Sequence, residues 1–261
     1  MKARTNGIDT NYTIEGEGPW LVFSHSLACN VAMWEPQIKA FSKRYKVVCY
    51  DTRGHGQSSA PAGAYTLDQL ADDAKALLDS LGIKSCHWVG LSMGGMIAQT
   101  FQLKYPGIFK TMTLADTTSR YPAELQSTWQ ARIDTASSKG MEPIVQPTLE
   151  RWFTEPYRKS GAPVVGRIAE AIRATPVPGF VGCCHAIPKI NVSARLKEVK
   201  IPSLVIVGEQ DPGTPVSMAQ EIHENLPGSE LVIIPSAAHL SNLEQPEAFN
   251  KALAGFLERH G

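Results

Sequence analysis

The sequence predicts an α/β fold, a mostly parallel sheet covered by helices on both faces and interrupted by one helical insertion. Three observations carry this. Short apolar runs alternate with stretches of helical spacing along most of the chain. At one junction, Cys86-His87-Trp88-Val89 leads through Gly90-Leu91-Ser92-Met93-Gly94-Gly95 into the helical run Met96 to Leu103. Strand, sharp turn and helix form the context in which G-x-S-x-G exposes a nucleophilic serine. Third, the alternation stops between about Tyr121 and Ala194, where eight prolines fall among helical pieces such as Val164 to Ile172, and then resumes.

Residues 2–15 alternate around Asn6-Gly7, which predicts an antiparallel hairpin at a sheet edge. Leu21-Val22-Phe23 is a short buried strand running into Ser24-His25-Ser26-Leu27, and Met33 to Phe41 has helical spacing. Lys46 to Tyr50 is a strand that ends in the turn-rich Asp51-Thr52-Arg53-Gly54-His55-Gly56. Leu67, Leu70, Ala71, Ala74, Leu77, Leu78 and Leu81 line one helical face, with a Thr66/Gln69 capping box before them and Gly82 after. Beyond the Ser92 elbow, Thr111 to Ala115 is a strand ending at Asp116. Later come a strand at 203–207, a helix near 216–226, a strand at 231–234 and a last helix near 247–258. The expected division is a core of residues 1–120 and 195–261 with a helical cap at 121–194. In such a sheet, ligands bind beyond the carboxyl ends of the strands.

A chain of 261 residues buries a sizeable core without staples. Lys+Arg and Asp+Glu each total 25, so no net charge recruits nucleic acid or an acidic membrane surface, and an anionic ligand must be held by local charges. The five cysteines include three in or just after predicted strands and the adjacent Cys183-Cys184, with no zinc or redox spacing. With no apolar signal segment at Met1 to Gly7 and no run long enough to span a bilayer, a reduced cytoplasmic protein is expected. Nothing in the sequence sets an oligomeric state.

A serine hydroxyl needs a base, and the base an orienting carboxylate. In this architecture the chain order is Ser, acid, His. His239 follows the last strand in Pro235-Ser236-Ala237-Ala238-His239. His87 lies inside a strand, His223 on a helix, His260 at the tail, and His55 precedes Ser92. Asp211, in Gly208-Glu209-Gln210-Asp211-Pro212, is favoured as the acid over Asp116 and Glu209. The predicted oxyanion donors are the N–H of Met93, after the nucleophile, and that of Leu27, in the loop after the strand at 21–23. Arg53 is either an anion ligand or a structural turn residue. No metal-binding, phosphate-loop or dinucleotide motif occurs, and neither cofactor nor metal is expected.

With these residues placed, the chain resembles the α/β-hydrolases over essentially its whole length. The resemblance rests on Gly90 to Gly95, on Asp51-Thr52-Arg53-Gly54-His55-Gly56-Gln57-Ser58, and on His239-Leu240-Ser241-Asn242-Leu243-Glu244-Gln245-Pro246. Ser24-His25-Ser26-Leu27 with Met33-Trp34-Glu35-Pro36-Gln37, and the run Gly179-Phe180-Val181-Gly182-Cys183-Cys184-His185-Ala186-Ile187, are similar to the 3-oxoadipate enol-lactonases. His25 stands where that family often has asparagine, and Ala28-Cys29 replaces a Leu-Gly-type continuation. The resemblance implies an eight-stranded sheet and a cytoplasmic, cofactor-free step of aromatic catabolism, the β-ketoadipate pathway. A small anionic enol-lactone would be opened to 3-oxoadipate through an acyl-enzyme on Ser92. Such a substrate needs a cation and a wall. Trp129 and Arg132, three residues apart in the cap, are the candidates, because one helical face presents both. A general carboxylesterase, a carbon–carbon bond hydrolase, a perhydrolase and a non-turnover binding protein remain as alternatives on the same fold.

Overall fold

The computed structural model describes residues 1–260. The hairpin forms as expected: β1 (Lys2–Thr5) and β2 (Ile8–Glu15) pair antiparallel across Asn6 and Gly7. These two turn residues have φ of 42° and 80°, as a tight turn matched to strand twist requires. β2 also pairs antiparallel with β4 (Lys46–Tyr50). The rest of the sheet, β3 (Trp20–Ser24), β5 (Cys86–Leu91), β6 (Phe109–Ala115), β7 (Ser203–Gly208) and β8 (Glu230–Ile234), is parallel. The strand order is β1-β2-β4-β3-β5-β6-β7-β8. Parallel neighbours require crossovers, and helices supply them.

After β3 a 3₁₀ turn at Val31–Trp34 enters α1 (Glu35–Phe41), so the helical spacing at 33–41 belongs to two joined elements. α2 (Leu67–Ser80) has the expected cap: the Thr66 side chain accepts from Gln69 N–H, and Gly82 follows at φ 68°. α3 (Met93–Lys104) starts directly at the nucleophile elbow, three residues before the apolar run that predicts it. Trp88 of β5, Phe101 of α3 and Phe109 of β6 stack with ring centroids 4.5–5.7 Å apart. Each such pair is worth about 0.5–1.5 kcal/mol beyond area burial, which fixes α3 behind Ser92.

Between β6 and β7 lie α4 (Gln126–Lys139), α5 (Glu142–Trp152), α6 (Glu155–Lys159), α7 (Pro163–Ala174) and α8 (Val177–Ala186). The prolines here mostly start helices rather than break them. Pro143, Pro156, Pro163 and Pro178 sit in first turns, where the missing N–H is no loss, and only Pro147 lies inside a helix. The two ends of the excursion meet in an antiparallel bridge between Arg120 and Asn191, with Val192 N–H donating to Ser119 O at 2.8 Å. The chain then completes α9 (Val216–Asn225), α10 (Ser241–Glu244) and α11 (Pro246–His260). α1 packs with α11 and α2 with α3, two separate groups flanking the sheet.

All five cysteines are buried and free. Among the described residues no helix is long and apolar enough to cross a membrane, and no cluster of three His, Cys, Asp or Glu is placed to hold a metal ion.

Candidate active site

Ser92 sits between β5 and α3 at φ 55°, ψ −114°, a strained conformation for a residue with a side chain. Its neighbours hold it there. Ser92 N–H donates to Ala115 O (2.8 Å), while its carbonyl accepts from the Thr117 hydroxyl (2.7 Å) and from Gly95 N–H (2.9 Å). The flanking glycines are sterically required: a Cβ on Gly90 would collide with the Gly94 carbonyl, and one on Gly94 with the Ser24 carbonyl.

At the ends of β7 and β8, Asp211 and His239 are buried and joined by a 2.7 Å bond from His239 Nδ1 to Asp211 Oδ2. Asp211 Oδ1 accepts from Gly213 N–H (2.8 Å) and Thr214 N–H (3.1 Å), and Oδ2 from the Thr214 hydroxyl (2.6 Å). Burial pulls this carboxyl up, but the His239 charge and the hydrogen bonds outweigh it and hold it below the ordinary carboxylate value. Burial pulls His239 down, yet the Asp211 charge and hydrogen bond leave it above its ordinary 6.5. With Nδ1–H spent on Asp211, Nε2 is left to take a proton. The Trp152 ring lies over the imidazole, centroids 6.1 Å apart at 26°.

The rival carboxylates are occupied elsewhere. Asp116 accepts from Gly208 N–H (2.7 Å) and from the Ser241 hydroxyl (2.5 Å), tying β6 to β7 and to the segment after His239. Its burial and the repulsion of Asp211 push its pKa up to about 8. Glu209 is exposed and, among the described residues, accepts only from Ser236 N–H at 3.3 Å. His87 bonds Thr111 inside the sheet, and His223 bonds Ser229. Arg53 takes its structural reading, since Asp73 holds its guanidinium through two 2.6 Å bonds.

The loop after β3 is braced by two buried histidines. His25 Nδ1 bonds Ser26 O (2.7 Å) and Nε2 accepts from Thr52 N–H (2.9 Å). His55 Nδ1 bonds Arg53 O (3.1 Å) and Nε2 accepts from Ala28 N–H (2.9 Å). Burial pushes their pKa values down to about 4 and about 3, so both stay neutral and keep these acceptors. This bracing holds Ala28 at φ 57°, a conformation glycine adopts freely. Among the described residues, neither Leu27 N–H nor Met93 N–H has a hydrogen-bond partner.

One cavity of about 50 Å³ brings these parts together, lined by Ser26, Leu27, Ser92, Gly213 and His239 from the core and by Tyr121, Trp129, Arg132, Arg151, Trp152 and Ile187 from the excursion. A larger hollow of about 260 Å³ between α7 and Asn30–Met33 is lined by Arg167 and Glu170 but by no serine, cysteine or histidine. Trp129 and Arg132 do face the Ser92 cavity, the guanidinium 4.7 Å from the Trp129 ring and 5.4 Å from that of Phe180. Sequence reasoning missed Ser26, Tyr121, Arg151 and Trp152. Arg151-Trp152 carried a readable signal, a second close Arg/Trp pair in the cap. The Ser26 hydroxyl, buried without a partner among the described residues, carried none.

The model of the alpha/beta hydrolase fold family matches residues 19–246. The chain is 39% identical to 3-oxoadipate enol-lactonase 2 of Acinetobacter baylyi, over 95% of this chain and 93% of that one. The crystal structure of the enol-lactonase from Burkholderia xenovorans superposes with a TM-score of 0.95 at 34% identity, covering 99% of this chain and 100% of that one. A malate-bound thermophilic esterase from Thermogutta terrifontis superposes with a TM-score of 0.94 at 26% identity, covering 100% of this chain and 99% of that one. The elbow serine, the buried Asp–His pair and the order of the strands thus agree with the matches: the chain belongs to the α/β-hydrolase fold family and is a relative of the 3-oxoadipate enol-lactonases.

Proposed function

We propose that the protein is a serine hydrolase that opens 3-oxoadipate enol-lactone to 3-oxoadipate in the catabolism of aromatic compounds. The observation that carries this is the joining, in one small cavity, of Ser92 and the Asp211–His239 pair with the cap guanidinium of Arg132, beside the likeness to named enol-lactonases. His239 takes the Ser92 proton as Oγ attacks the lactone carbonyl, and Asp211 holds the imidazole in the tautomer that allows it. The N–H groups of Leu27 and Met93 receive the developing oxyanion, each such donor being worth roughly 2.7–4 kcal/mol in the transition state. Collapse breaks the ring C–O bond and expels an enolate, a stable leaving group that ketonises. Water activated by His239 then releases the acyl group from Ser92.

Arg132 binds the substrate carboxylate and Trp129 walls the ring. A hydrogen bond between such charged groups contributes about 1.5–3 kcal/mol, enough to choose an anionic lactone over a neutral ester of similar size. Residues 121–194 act as a cap on the core formed by 1–120 and 195–261, since their ends close on each other and their side chains roof the cavity. The free, buried cysteines suit a reducing cytoplasm. The test is loss of the lactone's ultraviolet absorbance, with Ser92→Ala and a neutral nitrophenyl ester as controls. Fast lactone loss that disappears in Ser92→Ala, with slow ester turnover, supports the reading. Strong ester turnover with the lactone untouched contradicts it and favours the esterase reading, which the Thermogutta likeness also supports.

A further inference from the structure

Arg151 has no part in the steps above, yet its place is built. Leu240 N–H donates to Trp152 O at 3.1 Å. The buried Glu244 carboxylate accepts from Ala238 N–H (2.9 Å), Thr154 N–H (3.1 Å) and the Thr154 hydroxyl. The end of α5 and the loop carrying His239 are therefore one unit, and Arg151 is fixed at the edge of the Ser92 cavity. Its only hydrogen bond among the described residues is a long one to Thr148 Oγ1, 3.5 Å. No carboxylate among them lies within ion-pair distance of Arg151 or Arg132, and Arg132 Nε is buried without a partner. The contrast is with Arg53, which Asp73 holds through two bonds.

Burial and the charge of Arg132 push the Arg151 guanidinium down to about 10. Two half-buried guanidinium groups side by side are costly until anions join them. Space for anions is present. A second cavity of about 150 Å³ shares Tyr121, Trp129, Arg132, Arg151 and Gly213 with the Ser92 cavity. A third, of about 210 Å³ between α4 and α5, is again lined by both arginines. The Tyr121 hydroxyl has no hydrogen bond to the described residues.

We infer that Arg132 and Arg151 together form a site for two carboxylates, with Arg151 recognising the second, so that the pocket is specific for a dicarboxylate. The chemistry supplies one. In hydrolysis the oxygen of water bonds to the acyl carbon, the ring C–O bond breaks, and a carboxylate and a proton appear. A lactone that already carries one carboxylate becomes a dianion that matches both cations, whereas the substrate leaves one unmatched. The product is therefore held more tightly than the substrate and competes with it. Only the identity of the product rests on the lactonase reading; the two-cation site does not.

The test is inhibition of nitrophenyl acetate turnover by adipate and by hexanoate, which have the same chain length and differ by one carboxylate. Adipate is expected to bind roughly tenfold or more tighter than hexanoate. Arg151→Gln raises the adipate inhibition constant roughly 10- to 100-fold, and Arg151→Lys restores part of the affinity. Equal affinity of the wild-type protein for adipate and hexanoate overturns the inference, as does an adipate constant unmoved by Arg151→Gln. If the variant does not fold, the wild-type ratio of the two inhibitors decides alone. If adipate preference depends on Arg151 while the lactone is not turned over, the lactonase reading falls and the dicarboxylate site stands.

Discussion

The two walls of the Ser92 cavity are built on opposite rules. On the core wall the reacting groups are braced by hydrogen bonds: Asp211 accepts from His239, Thr214 and two backbone N–H groups, and the Ser92 backbone is held on both sides. On the cap wall, Arg132 has no hydrogen bond to the described residues, Arg151 a single long one, and the Tyr121 hydroxyl none. Apart from the Ser26 hydroxyl and the Leu27 and Met93 N–H groups, the core wall is hydrogen-bonded before substrate arrives, and a network so satisfied needs no reorganisation during reaction. A wall with unmatched donors gains its partners only from a ligand. On the function proposed, the core wall sets the chemistry and the cap wall the substrate, and changes on the two walls should register in different kinetic constants.

The largest effect belongs to the core. Ser92→Ala should lower lactone turnover by roughly 10⁴-fold or more with substrate affinity little changed, measured by single-turnover absorbance and by loss of organophosphate labelling. Asp211→Asn should cost roughly 10³–10⁴-fold in kcat, because the amide favours the wrong imidazole tautomer. The pH profile follows from the same pair. Activity needs neutral His239, whose pKa lies above 6.5 through Asp211, so kcat/KM should fall as pH drops through a midpoint above 6.5. In Asp211→Asn the residual activity should have that midpoint moved to lower pH. If it stays in place, Asp211 does not set the His239 pKa.

On the cap wall, Arg132→Gln should raise KM for the anionic lactone by roughly 10- to 100-fold and spare kcat. An equal loss in kcat would place Arg132 in the chemistry and break the division. Smallest is His25→Asn. Shortening the brace to Thr52 N–H should cost about 1 kcal/mol in urea unfolding and less than about tenfold in kcat.

The same division explains what was legible in the sequence. The elbow, the strand ends and the order Ser, acid, His are local patterns fixed by backbone geometry; Ser92 and His239 line one cavity, and Asp211 is bonded to His239. The start of α3 at Met93 was hidden because Gly94-Gly95 carries no apolar periodicity, although steric crowding requires those glycines there. Trp129 and Arg132 were readable as neighbours on α4. Arg151 was readable only as a second Arg/Trp pair with Trp152; its meeting with Arg132 follows from the packing of α4 on α5, which no local spacing records. The roles of His25 and His55 were likewise set by two loops closing on each other, which no spacing along the chain records.

The division is tested most directly by comparing 3-oxoadipate enol-lactone with the primary amide of its side-chain carboxylate, following ring opening of both. The reacting ring is unchanged, and only the charge that the cap wall reads is removed. The kcat/KM for the amide is expected to fall by roughly 10- to 100-fold, almost all of it in KM. Equal kcat/KM for the two lactones would show that the cap arginines do not select the substrate.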